Sequence, residues 1–356
     1  MAATLQTIAD ELGVSRSTVS NAYSRPDQLS PELRARILEA AERLGYSGPN
    51  PTARSLRRGK VNAIGVLLTG DLSMAFTDPY AVAYLRGLAE AASARETSLL
   101  LLNLPEDEEA GRRVISNAAV DAFCLYCVPD WHGALELIRG RGVPIVIGED
   151  PDAFGPEAGY VGINERAAAR RLGEHIARLG HRDIAVVAHW IVHGGVTGPV
   201  DADPDALRYY VTGERVRGFR DAFAAAGLPW ERVLLINAAH NGREEGAAAA
   251  AHALDRLDRA TAILTTSDVL ALGVLDALRA RGLRPGRDVS VTGFDDIPEA
   301  EPAGLTTIRQ PSVERGRLAG EILLDPPEDP GRRRLTLPVS LVVRATTGPN
   351  PLKEKS

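Results

Sequence analysis

Short apolar runs recur along most of this chain and alternate with longer amphipathic stretches. Ala63–Leu68, Ser98–Leu102, Phe123–Val128 and Pro144–Ile147 read as strands, and Tyr80–Ala94 reads as a helix between the first two. A second set begins near Arg166, with strands at Ile184–Val187, Val233–Ile236, Ala262–Thr265 and Val289–Val291. Nearly continuous Val/Ile/Leu runs suit strands buried on both faces of a parallel sheet. The pattern predicts an α/β chain with two similar doubly wound lobes. The cleft between such lobes is a natural small-molecule site.

The first 47 residues follow a different period. Thr4 caps a helix with Ile8, Ala9 and Leu12 on its inner face, and Gly13 supplies a left-handed turn. Ser15 caps a second helix, with Val19 and Ala22 facing inward and Arg16, Ser17, Ser20 and Asn21 facing out. Ser30-Pro31-Glu32 starts a third helix, whose stripe is Leu33, Ile37, Ala41 and Leu44, and Gly45 stops it. A short polar helix held this way fits a DNA major groove, where Arg and Asn read base edges. A small helical bundle with no nucleic acid role has the same pattern.

Residues 48–60 read as a linker that can become a helix. Asn50 caps, Pro51 takes the first position and Gly59 ends it. A helix this short is not stable alone in water, where roughly 12–15 residues are needed. Arg54, Arg57, Arg58 and Lys60 surround the single apolar Leu56, an arrangement suited to prying open a minor groove. An ordinary basic linker is the plainer reading.

Charge supports the division. Residues 1–60 carry nine Lys/Arg against six Asp/Glu, net +3, while the remainder carries 32 against 41, net −9. A basic head on an acidic body keeps the body off DNA phosphates. With no N-terminal apolar signal and no run of membrane-spanning length, the sequence predicts a cytoplasmic protein. The only cysteines, Cys124 and Cys127, have CxxC spacing but fall on a predicted strand, where positions three apart face opposite sides. They read as core cysteines rather than a redox or metal pair. His189 and His193 are four apart but leave a strand for the Gly/Pro/Asp-rich stretch 190–213, which reads as a loop at the cleft mouth and not as a metal site. No cofactor is predicted.

Taken in order, several motifs resemble the lactose/galactose-repressor (LacI/GalR) family. They are Val14–Ser20, Leu44-Gly45-Tyr46, Ala53–Leu56, Gly180-His181-Arg182, Glu214–Phe219, Thr266–Gly273, Val291–Asp296 and Leu305–Pro311. The resemblance implies a helix-turn-helix head (1–47), a hinge helix or linker (48–60), an effector-binding domain (61–348) and a tail (349–356). The domain resembles type I periplasmic binding proteins. Its first lobe would comprise about 61–162 and 293–326, and its second about 163–292 and 327–348. The chain would cross near Gly162–Asn164, Thr292–Asp295 and Leu324–Asp329.

The resemblance also implies site residues. Ser15, Arg16, Ser17, Thr18, Ser20, Asn21, Ala53 and Leu56 would contact double-stranded DNA at a near-palindromic operator. Phe76, Asp78, Tyr80, Glu149, Arg215, Ser267, Asp268 and Asp295 would hold a small-molecule effector, a sugar or related metabolite. Phe76 and Tyr80 would stack on a ring, Arg215 would act as a forked donor to sugar hydroxyls or an anion, and Asp295 and Ser267 would accept. The implied protein is a homodimeric repressor. The tail lacks an apolar heptad, which favours a dimer over a tetramer. Two alternatives remain: a transport-type binding protein, which would need a secretion signal and no DNA-reading head, and a co-repressor-dependent purine-type regulator. An enzyme is disfavoured, because neither a dinucleotide fingerprint nor a phosphate loop is present.

Overall fold

The computed structural model describes residues 3–48, 59–69, 72–129, 132–133, 135–256 and 260–352. The predicted hinge helix, with Ala53 and Leu56, lies outside them. The chain divides into two compact units, Met1–Val61 and Asn62–Ser356.

The first unit holds α1 (Leu5–Leu12), α2 (Arg16–Ser24) and α3 (Pro31–Arg43). Thr4 and Thr7 form a reciprocal capping box on α1, and Gly13 closes it at φ 65°. Ser15 and Ser30 cap α2 and α3 by accepting from Thr18 N and Leu33 N. The three helices share one small core of Leu5, Ile8, Ala9, Val19, Ala22, Ile37, Ala40 and Ala41. An ion pair from Arg43 to Glu11 ties the end of α3 to α1.

The second unit runs β1 (Ala63–Thr69), α4 (Met74–Thr77), α5 (Pro79–Ser93), β2 (Ser98–Leu104), α6 (Glu108–Asn117), β3 (Ala122–Tyr126), α7 (Leu135–Gly140), β4 (Ile145–Ile147) and β5 (Gly159–Ile163). It continues through α8 (Glu165–Arg178), β6 (Ile184–His189), β7 (Gly198–Pro199), α9 (Tyr210–Ala225), β8 (Leu234–Ala238), α10 (Arg243–Arg256), β9 (Ala262–Thr265) and α11 (Asp268–Ala280). Last come β10 (Ser290–Thr292), β11 (Thr307–Arg309), α12 (Ser312–Leu324), β12 (Arg334–Leu337) and β13 (Ser340–Val342). One parallel sheet has the order β12-β5-β4-β3-β1-β2 and the other β10-β9-β6-β8-β7, with only β7 antiparallel. β11 and β13 form a separate antiparallel pair.

Strand periodicity sends alternate side chains to opposite faces. In β6, Ile184, Val186 and Ala188 meet Leu172 and Ile176 of α8 and Phe219 and Phe223 of α9. Ala185 and Val187 meet Ala249, Ala250 and Ala253 of α10 and Leu270 and Val274 of α11. The first sheet is sandwiched likewise, with α5 and α12 on one face and α6 and α7 on the other.

Glycines let α5 and α12, and likewise α10 and α11, approach so closely that a side chain would not fit between them. A Cβ at Gly87 of α5 would lie 1.9 Å from Val313 O, and one at Gly316 of α12 would lie 1.9 Å from Tyr84 O. Gly246 of α10 and Gly273 of α11 are reciprocal in the same way, at 2.1 Å from Leu270 O and 2.0 Å from Arg243 O.

The lobe boundaries differ from expectation at two crossings. Residues 327–348 were expected in the second lobe, but β12 pairs with β5 in the first sheet, in register Arg334↔Tyr160 to Leu337↔Ile163. The last crossing therefore falls between β12 and β13 rather than near Leu324–Asp329. Residues from 293 were expected in the first lobe, but Leu305 and Ile308 pack in the second-lobe cores. The first lobe resumes at α12. Residues 190–213 are not loop throughout. β7 adds to the edge of β8, and Tyr210 begins α9.

Candidate functional site

The outer face of the first unit is built by the first turn of α2. Arg16 and Ser17 are exposed, as is the capping Ser15. Ser15 Oγ lies 2.7 Å from Ser17 Oγ and 2.8 Å from Thr18 Oγ1, so the three hydroxyls form a cluster at a positive helix end. Such a cluster suits phosphate oxygens. Thr18, Ser20 and Asn21 are half-buried, and Asn21 donates to Gln28 Oε1 at 3.4 Å. Ala53 and Leu56 lie outside the described residues.

The second unit contains a cavity of about 320 Å³ walled by both lobes. The first lobe supplies Asp78, Tyr80, Tyr126, Cys127, Glu149 and Arg315. The second supplies Glu165, His189, Trp190, Tyr209, Arg215, His240, Asn241 and Ser267, and Asp295 enters from the segment after β10. Of the eight residues expected to hold effector, Asp78, Tyr80, Glu149, Arg215, Ser267 and Asp295 meet here. Phe76 does not line it and is 68% exposed on α4. Asp268 also stays outside the lining. It is buried at the start of α11, where its carboxylate accepts from Ile297 N at 2.9 Å and from Thr307 Oγ1 at 2.6 Å. Its place is to pin the segment after β10 to α11.

Arg215 is committed within the wall. Its Nε donates to Glu165 Oε2 at 2.7 Å and its Nη1 to Thr266 O at 2.5 Å, while Asp295 Oδ1 stands 3.9 Å away. The guanidinium lies over the Phe294 ring, 3.7 Å from its centroid. Asp295 in turn accepts from Gln310 Nε2 at 2.7 Å. Gln310 Oε1 accepts from Arg315, which also donates to Tyr80 Oη and to Gly148 O. This chain of bonds crosses from the second lobe to the first. Another crossing runs from Ser267 Oγ to Asn241 and from Asn241 Nδ2 to Asp78 Oδ2 at 3.4 Å.

Burial sets the protonation of the cavity. It pushes Asp78 and Asp295 above the usual carboxylate range, with Arg215 opposing the rise at Asp295. It raises Glu149 to about 7, against the Cys127 N–H that Glu149 accepts at 2.9 Å. It lowers His189 to about 4, so that imidazole is neutral at pH 7. Cys124 sits in the core of the first lobe, its thiol pushed up to about 12. Cys127 instead faces the cavity, with its thiol likewise raised.

Backbone strain concentrates at the same place. Cys127 (φ 53°), Trp190 (φ 59°) and Asp295 (φ 126°) all line the cavity in the left-handed region. Non-glycine residues persist there only where the surroundings over-determine them.

Glu165, Trp190, Tyr209, Asn241 and Arg315 were not anticipated from sequence. Glu165 had a visible signal, because it follows the capping Asn164 in the first turn of α8, where a carboxylate complements the helix end. Arg315 is a charged residue within the buried stripe of α12. Trp190 and Tyr209 bracket the loop, and their rings meet edge to face at 4.7 Å.

Glu149 gives a pH signature. Its folded value lies above its unfolded 4.5, so the native state holds the proton more tightly. Its contribution to stability is full below about pH 4.5 and is lost as pH rises through about 7. Glu149→Gln should therefore flatten part of the decline in urea-unfolding free energy across that window. Parallel wild-type and variant profiles would rule out a buried, titrating Glu149.

Residues 4–50 match the bacterial regulatory proteins of the lacI family, and residues 174–347 match the periplasmic binding protein-like domain. An HTH-type transcriptional regulator of Mycolicibacterium smegmatis is 41% identical over 91% of this chain and 91% of its own. A crystal structure of a LacI-family transcriptional regulator from Corynebacterium glutamicum is 34% identical and covers 98% of this chain and 99% of its own, with TM-score 0.74. A transcriptional regulator CelR–cellobiose complex is 27% identical and covers 97% and 99%, with TM-score 0.66. With a three-helix head, two parallel-sheet lobes and this similarity along nearly its whole length, the chain belongs to the LacI family, as a DNA-binding transcriptional regulator rather than an enzyme.

Proposed function

We propose that this regulator is a repressor whose operator affinity is set by a sugar or related metabolite bound between the lobes. The observation that carries the reading is the cavity itself. It is polar where Asp78, Asn241, Ser267 and Asp295 converge and aromatic where Trp190, Tyr209, Tyr126 and Tyr80 stand. Ring compounds with hydroxyl edges and apolar faces match such a division. The solved relative in complex with cellobiose supports the same class. Bound ligand would bridge Asp78 and Glu149 of one lobe to Asp295 and Ser267 of the other and so fix their separation.

In this reading the regulator acts in the cytoplasm as a homodimer, each copy placing α2 in one major groove of a near-palindromic operator. The hinge segments, with Ala53 and Leu56, would meet at the central minor groove. Binding of the chain's own upstream DNA, followed by fluorescence anisotropy with and without candidate sugars, tests the proposal. The expected result is weaker operator binding with sugar, and equally weakened sugar binding with operator, since coupling is reciprocal. Tighter DNA binding with ligand would favour the purine-type co-repressor arrangement. No change with any ligand would remove the regulatory claim.

The reading helix has its own test. Arg16→Ala should cost about 1–3 kcal/mol at one symmetric operator position and relax specificity there. An equal loss on every operator variant would reduce Arg16 to a phosphate contact.

A further inference from the structure

We propose that the cavity admits uncharged polyhydroxy compounds and excludes their phosphorylated and carboxylated derivatives, because both guanidinium groups described in its wall are already committed to hydrogen bonds within the protein. The inference rests on the cavity being the effector site and specifies what can enter it.

Among the described residues, four carboxyl side chains line the cavity, Asp78, Glu149, Glu165 and Asp295, against two guanidinium groups, Arg215 and Arg315. Neither guanidinium is open to an incoming anion. Arg215 is 6% exposed and holds Glu165 and Thr266 O in front of Asp295. Arg315 is 5% exposed and donates to Tyr80, Gln310 and Gly148. An anionic ligand would have to break one of these sets and leave a buried carboxylate or carbonyl unpaired, which costs more than a surface contact returns. Histidines do not alter the balance. His189 is neutral at pH 7, and His240 is exposed at the rim, where solvent screens it.

Helix ends at the cavity do not favour an anion either. α5 and α11 begin at the cavity, but Asp78 and Ser267 already cap them. The start of α9 has no capping side chain, yet Glu214, Asp150 and Glu165 act on Tyr210 there. A phosphate placed at that end would meet carboxylates.

What remains suits hydroxyl groups. The carboxyls accept from hydroxyl donors, and those raised by burial can also donate when protonated. The Nδ1 of His189 is a buried polar atom without a protein partner. The discrimination is one-sided, since it acts only against anions.

The test uses the full wild-type chain. Glucose, galactose, ribose, sorbitol and cellobiose are each paired with a phosphate ester and with the corresponding sugar acid. Thermal shift finds binders, and calorimetry ranks each pair. Trp190→Phe assigns binding to this cavity, because ligand-dependent emission from Trp190 should disappear. The expected result is stabilisation by at least one uncharged compound, with its anionic partners at least about tenfold weaker. An anion that binds as tightly as its parent, or stabilisation by no uncharged member, overturns the proposal. Operator anisotropy on the same samples separates the two readings. An uncharged binder that leaves operator affinity unchanged keeps the selectivity and removes the regulatory role. An anionic binder that shifts operator affinity does the reverse.

Discussion

Replacing Arg215 by alanine is expected to cost about 3–5 kcal/mol of folding stability in the two-lobed unit. The side chains of Arg215 and Glu165 are 7% and 3% exposed, and Asp295 is 8% exposed beside them. Alanine would leave Glu165 and Asp295 buried without the guanidinium that lies beside both, and Thr266 O would lose its donor. Breaking one member of a buried pair is costly because the partner's desolvation is no longer offset, whereas removing both is often nearly neutral. Arg215→Met combined with Glu165→Leu should therefore recover much of the loss. Urea unfolding of the two single variants and the double variant measures this. A loss below about 1 kcal/mol for Arg215→Ala would mean that water reaches Glu165 once the guanidinium is gone. If the loss is instead the expected size, an absent effector response in Arg215→Ala would report a weakened scaffold as much as a lost ligand contact.

Gly316→Ala should be the next most damaging change, at or above the upper end of the roughly 1–3 kcal/mol typical of overpacking. The new Cβ would stand 1.9 Å from Tyr84 O, a backbone atom that cannot step aside without moving α5. Gly140→Ala is the control. Nothing lies within 4 Å of a Cβ there, and the residue ends α7. The same methyl group should stabilise by about 0.5–1 kcal/mol through backbone entropy alone. Opposite signs in thermal unfolding would attribute the Gly316 effect to the helix contact. Equal signs would refute it.

The sequence made the central strands legible because they are buried on both faces. β1 and β6 are apolar up to their last residues, Thr69 and His189, which suits a sheet interior. β12 was illegible for the converse reason. Its Arg-Leu-Thr-Leu alternates, it is only partly buried at the sheet edge, and its partner lies more than a hundred residues away. The site divided along similar lines. Asp78, Ser267 and Asp295 were reached through the family resemblance, and in the fold Asp78 and Ser267 cap helices while Asp295 lies in the segment after β10. Arg315, Asn241 and Tyr209 reach the cavity only because three distant segments converge, which no local pattern encodes. Phe76 misled because aromaticity carries no direction, and α4 turns it outward.

The glycine contacts between α5 and α12 determine how motion can pass through the first lobe. Side chains between helices act as springs, whereas touching backbones act as a weld. Tyr80 lies one turn before Tyr84 on α5, and Arg315 immediately precedes Gly316 on α12. A tug on the Asp295–Gln310–Arg315–Tyr80 chain thus pulls on both members of the welded pair. Shear between the two helices is closed off, so displacement is transmitted as a tilt of the pair as one plate. Spin labels on exposed positions of α5 and α12 should keep a constant separation while the distance from either label to α9 changes with ligand. A ligand-dependent change within the pair would show that the weld slips.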